Sequence, residues 1–338
     1  MLRTLLVIFL VPAAAHAAET MRIAIGAEVK AARLAGPALA FGEDDEDAVF
    51  AALAPGEVTV GRRGEALVID GSPVRSRAVR FRTGGPIDVN GTRVRGDVVV
   101  LLGRDGVQLV NVLGLEDYLA GVLGSEMPKS FPVEALKAQA IAARTYALHK
   151  KLEQYGQPFH LGSSVISQVY GGLASEDART REAVEATRGM VLTWQLQPVE
   201  AYFHASCGGK TEAGAAALGR DLPYLRPVAC PCAKLPQAEW RLELGSRVEV
   251  LARSATGRAT KVQLDGRPLD AVTFRERVGY TKLKSLWFEV TGSTLTGHGF
   301  GHGAGMCQWG AKVLAERGQS FREILAHYYA GTELQTLY

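Results

Sequence analysis

Cysteine is scarce in this chain: four residues among 338, none before residue 207. Crosslinks can contribute little, and the fold rests on an apolar core for which the length is ample. An excess of one charge is lacking too. The 38 basic and 35 acidic residues leave a formal charge of +3, and no basic run is long enough to serve as an arm for nucleic acid. Beyond the N-terminus no apolar run is long enough to cross a bilayer as a helix. Internal repeats and low-complexity segments are missing, so neither a solenoid nor a biased linker is expected.

What is present begins at the N-terminus. Arg3, the apolar run Leu5 to Ala15 and then Ala15-His16-Ala17 have the n-region, h-region and A-x-A site of a secretory signal peptide. Residues 1–17 are expected to be removed, with a retained anchor as the alternative. Residues 18–338 are expected to work outside the cytoplasm, secreted into the periplasm or cell envelope.

Met21 to Glu28 reads as a first strand, and the acidic run 42–47 as a solvated turn. From Val58 to Val112 the pattern is β-rich. Asn90-Gly91 and Asp105-Gly106 each lie between alternating apolar segments, the signature of type I′ hairpins. Leu115, Tyr118, Leu119, Val122 and Leu123 repeat at helical spacing, and Gly124 is placed to end that helix in the left-handed conformation. Glu126 then falls in a joint before a second helix, in whose first turn Pro132 is tolerated. Lys137 and Arg144, seven residues apart on that helix, project from nearly one face. Glu176 to Arg188, Ala311 to Arg317 and Phe321 to Tyr329 read as further helices. Val199 to Phe203 reads as a strand leading into a loop from His204 to Thr211. Residues 236–292 mix β and helical signals and form a candidate inserted subdomain.

The stretch from Gly297 to Gly310, GHGFGHGAGMCQWG, invites a nucleotide-binding reading, but a βαβ context and the P-loop Lys-Ser/Thr are absent. Its glycines fit a backbone that closely approaches a flat ligand or another segment. His298 and His302 are four apart, yet the HEXXH glutamate is replaced by Gly299, so a catalytic zinc pair is a minor reading. Cys207, Cys230, Cys232 and Cys307 fit either disulfides, from the compartment, or a structural zinc, from the ligand count. Cys207, Cys230, Cys232 and His204 would supply four zinc ligands, with Cys307 as the alternative fourth.

Several stretches, in order, resemble one family: GLEDYLAGVLGSEMPKSFPVEALKAQAIAARTYAL, SQVYGG, EAYFHASCGGKTE, LPYLRPV and HGFGHGAGMCQWGAKVLAERG. The chain resembles the stage II sporulation protein D family, which includes amidase enhancers, over most of its length from the hairpins onward. The N-terminal β-rich part, residues 18–75, is less distinctive than the core, residues 76–338. The resemblance implies a peptidoglycan lytic transglycosylase acting on glycan strands stripped of stem peptides. Its catalytic acid would be the glutamate of E-M-P, Glu126. Lys137 and Arg144 match the family's helix cations, and the histidine and glycine-rich segments match His204 to Thr211 and His298 to Gln308. Zinc in some members makes a structural zinc expected here only at the cysteines; catalysis needs no cofactor.

On that reading a single carboxyl, partly desolvated, protonates the leaving oxygen and then takes a proton from the muramyl C6 hydroxyl, so no paired carboxylate is required. Lys137 and Arg144 would bind the lactyl carboxylate or buttress the loop. Gln168, Tyr170, His204, Ser206, His298, His302 and Gln308 are the candidate sugar contacts. The alternative is a non-catalytic glycan-binding partner of a cell-wall amidase. The expected fold is α+β, a helical part carrying the catalytic loop packed with an antiparallel β-rich part. The groove between them would be lined by the Glu126, His204 and glycine-rich loops.

Overall fold

A computed structural model describes residues 19–45, 47–54, 56–162, 170–235 and 238–338. The signal segment and Gln168 lie outside the described residues. The fold is α+β. Its N-terminal part is a pair of antiparallel-strand sheets whose inner faces share one core. One sheet, of seven strands, places Thr20–Val29, Val107–Gly114, Asp97–Leu102 and Ala78–Arg82 side by side. The other, of six strands, is centred on Ala31–Ala35 and Glu57–Arg63. Val98 and Val100 point into the core with Phe81 and Leu109, meeting Leu34, Val60 and Leu67 of the opposing sheet. Val99 points to the other face with Val110 and Val112, as the two-residue period of a strand requires.

The turn chemistry acts locally. Asn90 (φ 53°) and Gly91 (φ 88°) join Ile87–Val89 to Thr92–Val94 in the expected tight hairpin. Asp105-Gly106 also lies in a hairpin, but the loop spans residues 103–106 and is not a type I′ turn. Gly106 is required there because a Cβ would lie 2.2 Å from the Val29 carbonyl oxygen. The acidic turn is likewise not simply solvated. Asp44 accepts hydrogen bonds from Arg22 and Arg80, each pair closing to 2.7 Å.

The helical layer begins with Leu115–Glu126, whose apolar stripe is fully buried. Gly124 does not end this helix. The helix runs two residues further, and Gly124 lets the Ser175 carbonyl approach to where a Cβ would stand 1.9 Å away. Pro132 occupies the N-cap position of the next helix. The long helix Val133–Glu153 is central. Ala138, Ala140, Ala142, Ala143 and Ala147 are all buried, so the Leu115–Glu126, Gln308–Glu316 and Phe321–Tyr328 helices and the Met190–Trp194 strand pack closely around it. A third apolar cluster, with Trp240, Val262, Phe274, Phe288 and Leu295, is built by residues 239–298. It consists of two three-stranded sheets and the helix Ala271–Val278. Among the described residues no helix is long and apolar enough to cross a membrane.

Inside the helical core lies an ion pair. Arg144 is fully buried, and its Nε and Nη2 donate to the two carboxylate oxygens of Glu116 at 2.9 and 2.6 Å. The remaining guanidinium bonds reach the Val184 and Met190 carbonyls and the Thr187 hydroxyl, and the Tyr338 hydroxyl donates to Glu116 at 2.6 Å. Burial pushes the Glu116 carboxyl up, but the Arg144 hydrogen bonds and charge outweigh it and hold the carboxyl below its ordinary value. Arg144→Ala would leave a buried carboxylate unpaired, a loss of about 3–5 kcal/mol measurable by urea unfolding at neutral pH. Because the folded Glu116 value is depressed, its stabilisation is complete above the ordinary 4.5 and disappears as pH falls through the lowered value. The gap between parent and variant should therefore narrow on acidification below pH 4.5. A gap independent of pH would show that this pair is not the source.

Candidate active site

Several chain segments meet at a cleft of about 440 Å³. Glu126, the last residue of its helix, and Gln308, the first residue of another, stand on one side. Phe203, His204, Gly301 and His302 come from two crossing loops. Arg275, Tyr280 and Leu286 come from the 239–298 segment and line the same cleft. Tyr146, Tyr202 and the exposed ring of Phe300 add aromatic surface, and most of the lining is apolar. Such a cleft suits a ligand with flat apolar faces and polar edges.

Glu126 is half-buried, and Gln308 Nε2 donates to its Oε2 at 3.4 Å. The same amide lies 3.5 Å from Oε1 of the buried Gln139, a residue that sequence reading passed over because one glutamine in an alanine-rich helix carries no signal.

The two histidines of the cleft are held by main chain. His302 accepts at Nδ1 from the Ala304 amide at 3.1 Å and donates from Nε2 to the Phe203 carbonyl at 2.9 Å. His204 donates from Nδ1 to the Ala304 carbonyl at 3.0 Å, and its buried Nε2 has no partner among the described residues. Burial, His302 and Arg258 hold His204 well below its ordinary value. His302 is depressed to about 4 by burial together with Arg275 and Arg258, against the Phe203 carbonyl, which favours its proton. The glycines between them serve close approach of backbone to another segment. At Gly301 a Cβ would lie 2.5 Å from the His204 Cβ, and at Gly305 one would lie 2.0 Å from the Tyr202 carbonyl oxygen.

Other predicted site residues stand elsewhere. Lys137 pairs with Glu134 at 2.9 Å, and Arg144 with Glu116, so the shared helix face does not bring the two cations to one ligand. Tyr170 packs on Tyr118 and donates to Asn111 Oδ1 at 2.9 Å. Ser206 is buried with its hydroxyl toward Cys232 Sγ, and His298 is exposed against Trp287. None of these five lines the cleft. Arg275 and Tyr280 do line it and were missed, because they lie in a stretch without a motif; a cation near a helix end was the only available signal.

Behind the cleft the sulfur atoms of Cys207, Cys230, Cys232 and Cys307 all lie within 4.8 Å of one another, and all four residues are buried. His204 is not in this group; its strand neighbour Cys307 completes it. Four thiols gathered so closely fit the tetrahedral all-thiolate set that zinc accepts. Donors surround them as thiolates require. The Cys207 and Gly310 amides point at Cys307 Sγ at 3.3 and 3.2 Å, and the Tyr328 hydroxyl lies 3.2 Å from Cys230 Sγ. Among the described residues this is the only histidine, cysteine and carboxylate cluster able to hold a metal, so His298 and His302 do not form one.

Comparison with known proteins places the chain among relatives over most of its length. Residues 103–194 match the family model described as Stage II sporulation protein. The chain is 32% identical over 267 residues to stage II sporulation protein D of Bacillus subtilis, covering 68% of this chain and 77% of that one. An uncharacterized protein of Brachyspira hyodysenteriae is 31% identical over 322 residues, 88% of each chain. The amidase enhancer of Bacillus subtilis is 29% identical over 290 residues, which are 64% of this chain and 40% of that protein.

The lowered His302 value predicts an imidazole that stays neutral from pH 8 to about 5 and titrates near 4. In the unfolded chain the same ring takes its proton near 6.5, so the associated stability is present above that pH and is lost on descending toward 4. Ring-proton NMR shifts as a function of pH check this; a midpoint near 6.5 would refute it.

Proposed function

The chain belongs to the stage II sporulation protein D family, and from that premise and the cleft we propose a cell-wall enzyme, a lytic transglycosylase of peptide-free glycan strands. The observation that carries the reading is the convergence of Glu126, Gln308 and an aromatic-lined trough. Glu126 is the last residue of its helix, half-buried beside the buried Met127 and in hydrogen-bond reach of the Gln308 amide, which leaves its carboxyl at the lining of the cleft.

The reaction balances with this one group. The Glu126 proton goes to the glycosidic oxygen as the bond from muramyl C1 to that oxygen breaks. The muramyl C6 oxygen then bonds to C1, and its hydroxyl proton returns to Glu126, giving a 1,6-anhydro end and consuming no water. Gln308 orients the carboxyl, and Phe300, Tyr202 and Tyr146 offer faces for sugar rings. The site of action is outside the cytoplasm, after removal of the N-terminal segment.

The four thiols hold a structural zinc in this proposal. The ion would tie Cys207, just after the His204 strand, to Cys307, which caps the Gln308 helix, and so keep both cleft segments in place. It takes no part in the proton transfers.

Glu126→Gln preserves shape and removes the proton. Its release of anhydro-ended sugars from peptide-free glycan, read by mass spectrometry, should fall by at least about a hundredfold. Wild-type product from the pure variant would refute the assignment. The likeness to an amidase enhancer supports a second reading, a glycan-binding partner of a cell-wall amidase. That reading requires wild-type protein to bind strands, stimulate an amidase and release no sugar of its own. For the metal, about one zinc per chain and four thiols that react only after unfolding are expected. Cys232→Ser should lower the melting temperature by roughly 10 °C or more, as loss of several kcal/mol implies. Full-length protein without zinc and without free thiols would show two disulfides in its place.

A further inference from the structure

Arg275 is the one arginine or lysine lining the cleft among the described residues. It is 8% exposed, and among the described residues no carboxylate pairs with it. Its bonds go to carbonyl oxygens only: Nε to Leu283 at 2.9 Å and Nη2 to Lys284 at 2.7 Å. No hydrogen bond leaves Nη1 among the described residues, and one face lies 5.0 Å from the Tyr280 ring. The Lys284 carbonyl also accepts from the Gly301 amide at 2.9 Å, which locks the guanidinium to the loop carrying His302. A buried cation is costly to keep without an anion. The other buried guanidiniums differ: Arg144 has Glu116, and Arg258 has Glu212 at 4.0 Å. Among the described residues Arg275 has no such counterion, and it lines the same cleft as the catalytic carboxyl.

We propose that Arg275 binds the lactyl carboxylate of a peptide-free muramic acid and thereby selects stripped strands. This rests on the glycan-cleaving reading above. The free lactyl group is a planar carboxylate that a guanidinium can grip; attachment of a stem peptide turns it into a neutral amide with bulk behind it. The role that resemblance would give to Lys137 or Arg144 thus passes to a residue of the 239–298 segment that lines the cleft.

The test uses full-length Glu126→Gln protein, which cannot turn over, and two probes: peptide-free glycan strands, and the same strands with the lactyl carboxyls converted to primary amides. The carboxylate strands should bind about tenfold or more tightly than the amide strands, the value of a charge-assisted hydrogen bond. Adding Arg275→Gln should reduce that ratio to about twofold or less while the amide strands bind as before. Arg275→Lys, which keeps the charge and loses the fork, should give an intermediate ratio and serves if the glutamine variant melts early. Equal binding of both probes by the parent, or an undiminished ratio in a folded Arg275 variant, overturns the assignment and leaves the glycan reading intact. Failure of the parent to bind either probe overturns the glycan reading itself.

Discussion

Two residues of parallel pairing, Phe203 with Met306 and His204 with Cys307, hold the candidate site together. Four sulfur atoms cluster at the end of that pairing, drawn from three separated stretches of chain. The pairing is too short to be stable by its own hydrogen bonds, since an isolated pair of strands is marginal at best. The glycines at Gly301 and Gly305 let the two backbones approach closely there. Cys307 then caps the helix whose first residue, Gln308, reaches Glu126. One residue thus separates the sulfur cluster from the side chain that contacts the carboxyl.

Arg144 and Arg275 show how burial sorts equal charges into different roles. Both guanidiniums are withdrawn from water. Arg144 meets a carboxylate in bidentate geometry, and its charge is neutralised within the fold; such a group stabilises packing and has nothing left to offer a ligand. Arg275 meets only carbonyl oxygens and an aromatic ring, and burial lowers its own proton affinity to about 10. The field it leaves uncancelled helps keep His302 neutral, so the cleft that Glu126 lines combines a buried positive charge with uncharged imidazoles.

The legible parts of this protein are those set by short-range rules. The hairpin at Asn90-Gly91 follows from two successive positive φ angles, and the Leu115 stripe from helical spacing. Both were readable because their causes lie within a few residues. Gly124 and Asp105-Gly106 were misread for the converse reason. Each glycine answers to a backbone carbonyl far along the chain, at Ser175 and Val29, that no local pattern reveals. In the site, Glu126, His204, His302 and Gln308 were readable from their motifs, and they do share the cleft. Lys137, Arg144, Tyr170, Ser206 and His298 carry equally suggestive neighbours in sequence yet stand elsewhere.

The sequence alone determined the α+β character, the hairpins and helices, the family and the pool of reactive side chains, because periodicity, turn residues and side-chain identity are properties of neighbours along the chain. The tertiary structure alone decided which member of that pool serves which purpose. It brought Cys307 rather than His204 to the sulfur cluster, and it gave Glu116 to Arg144. It also brought Arg275 to the cleft that Glu126 lines. The physical reason is that a charge's role depends on its counterion and its distance from water, and both are supplied by residues remote in sequence.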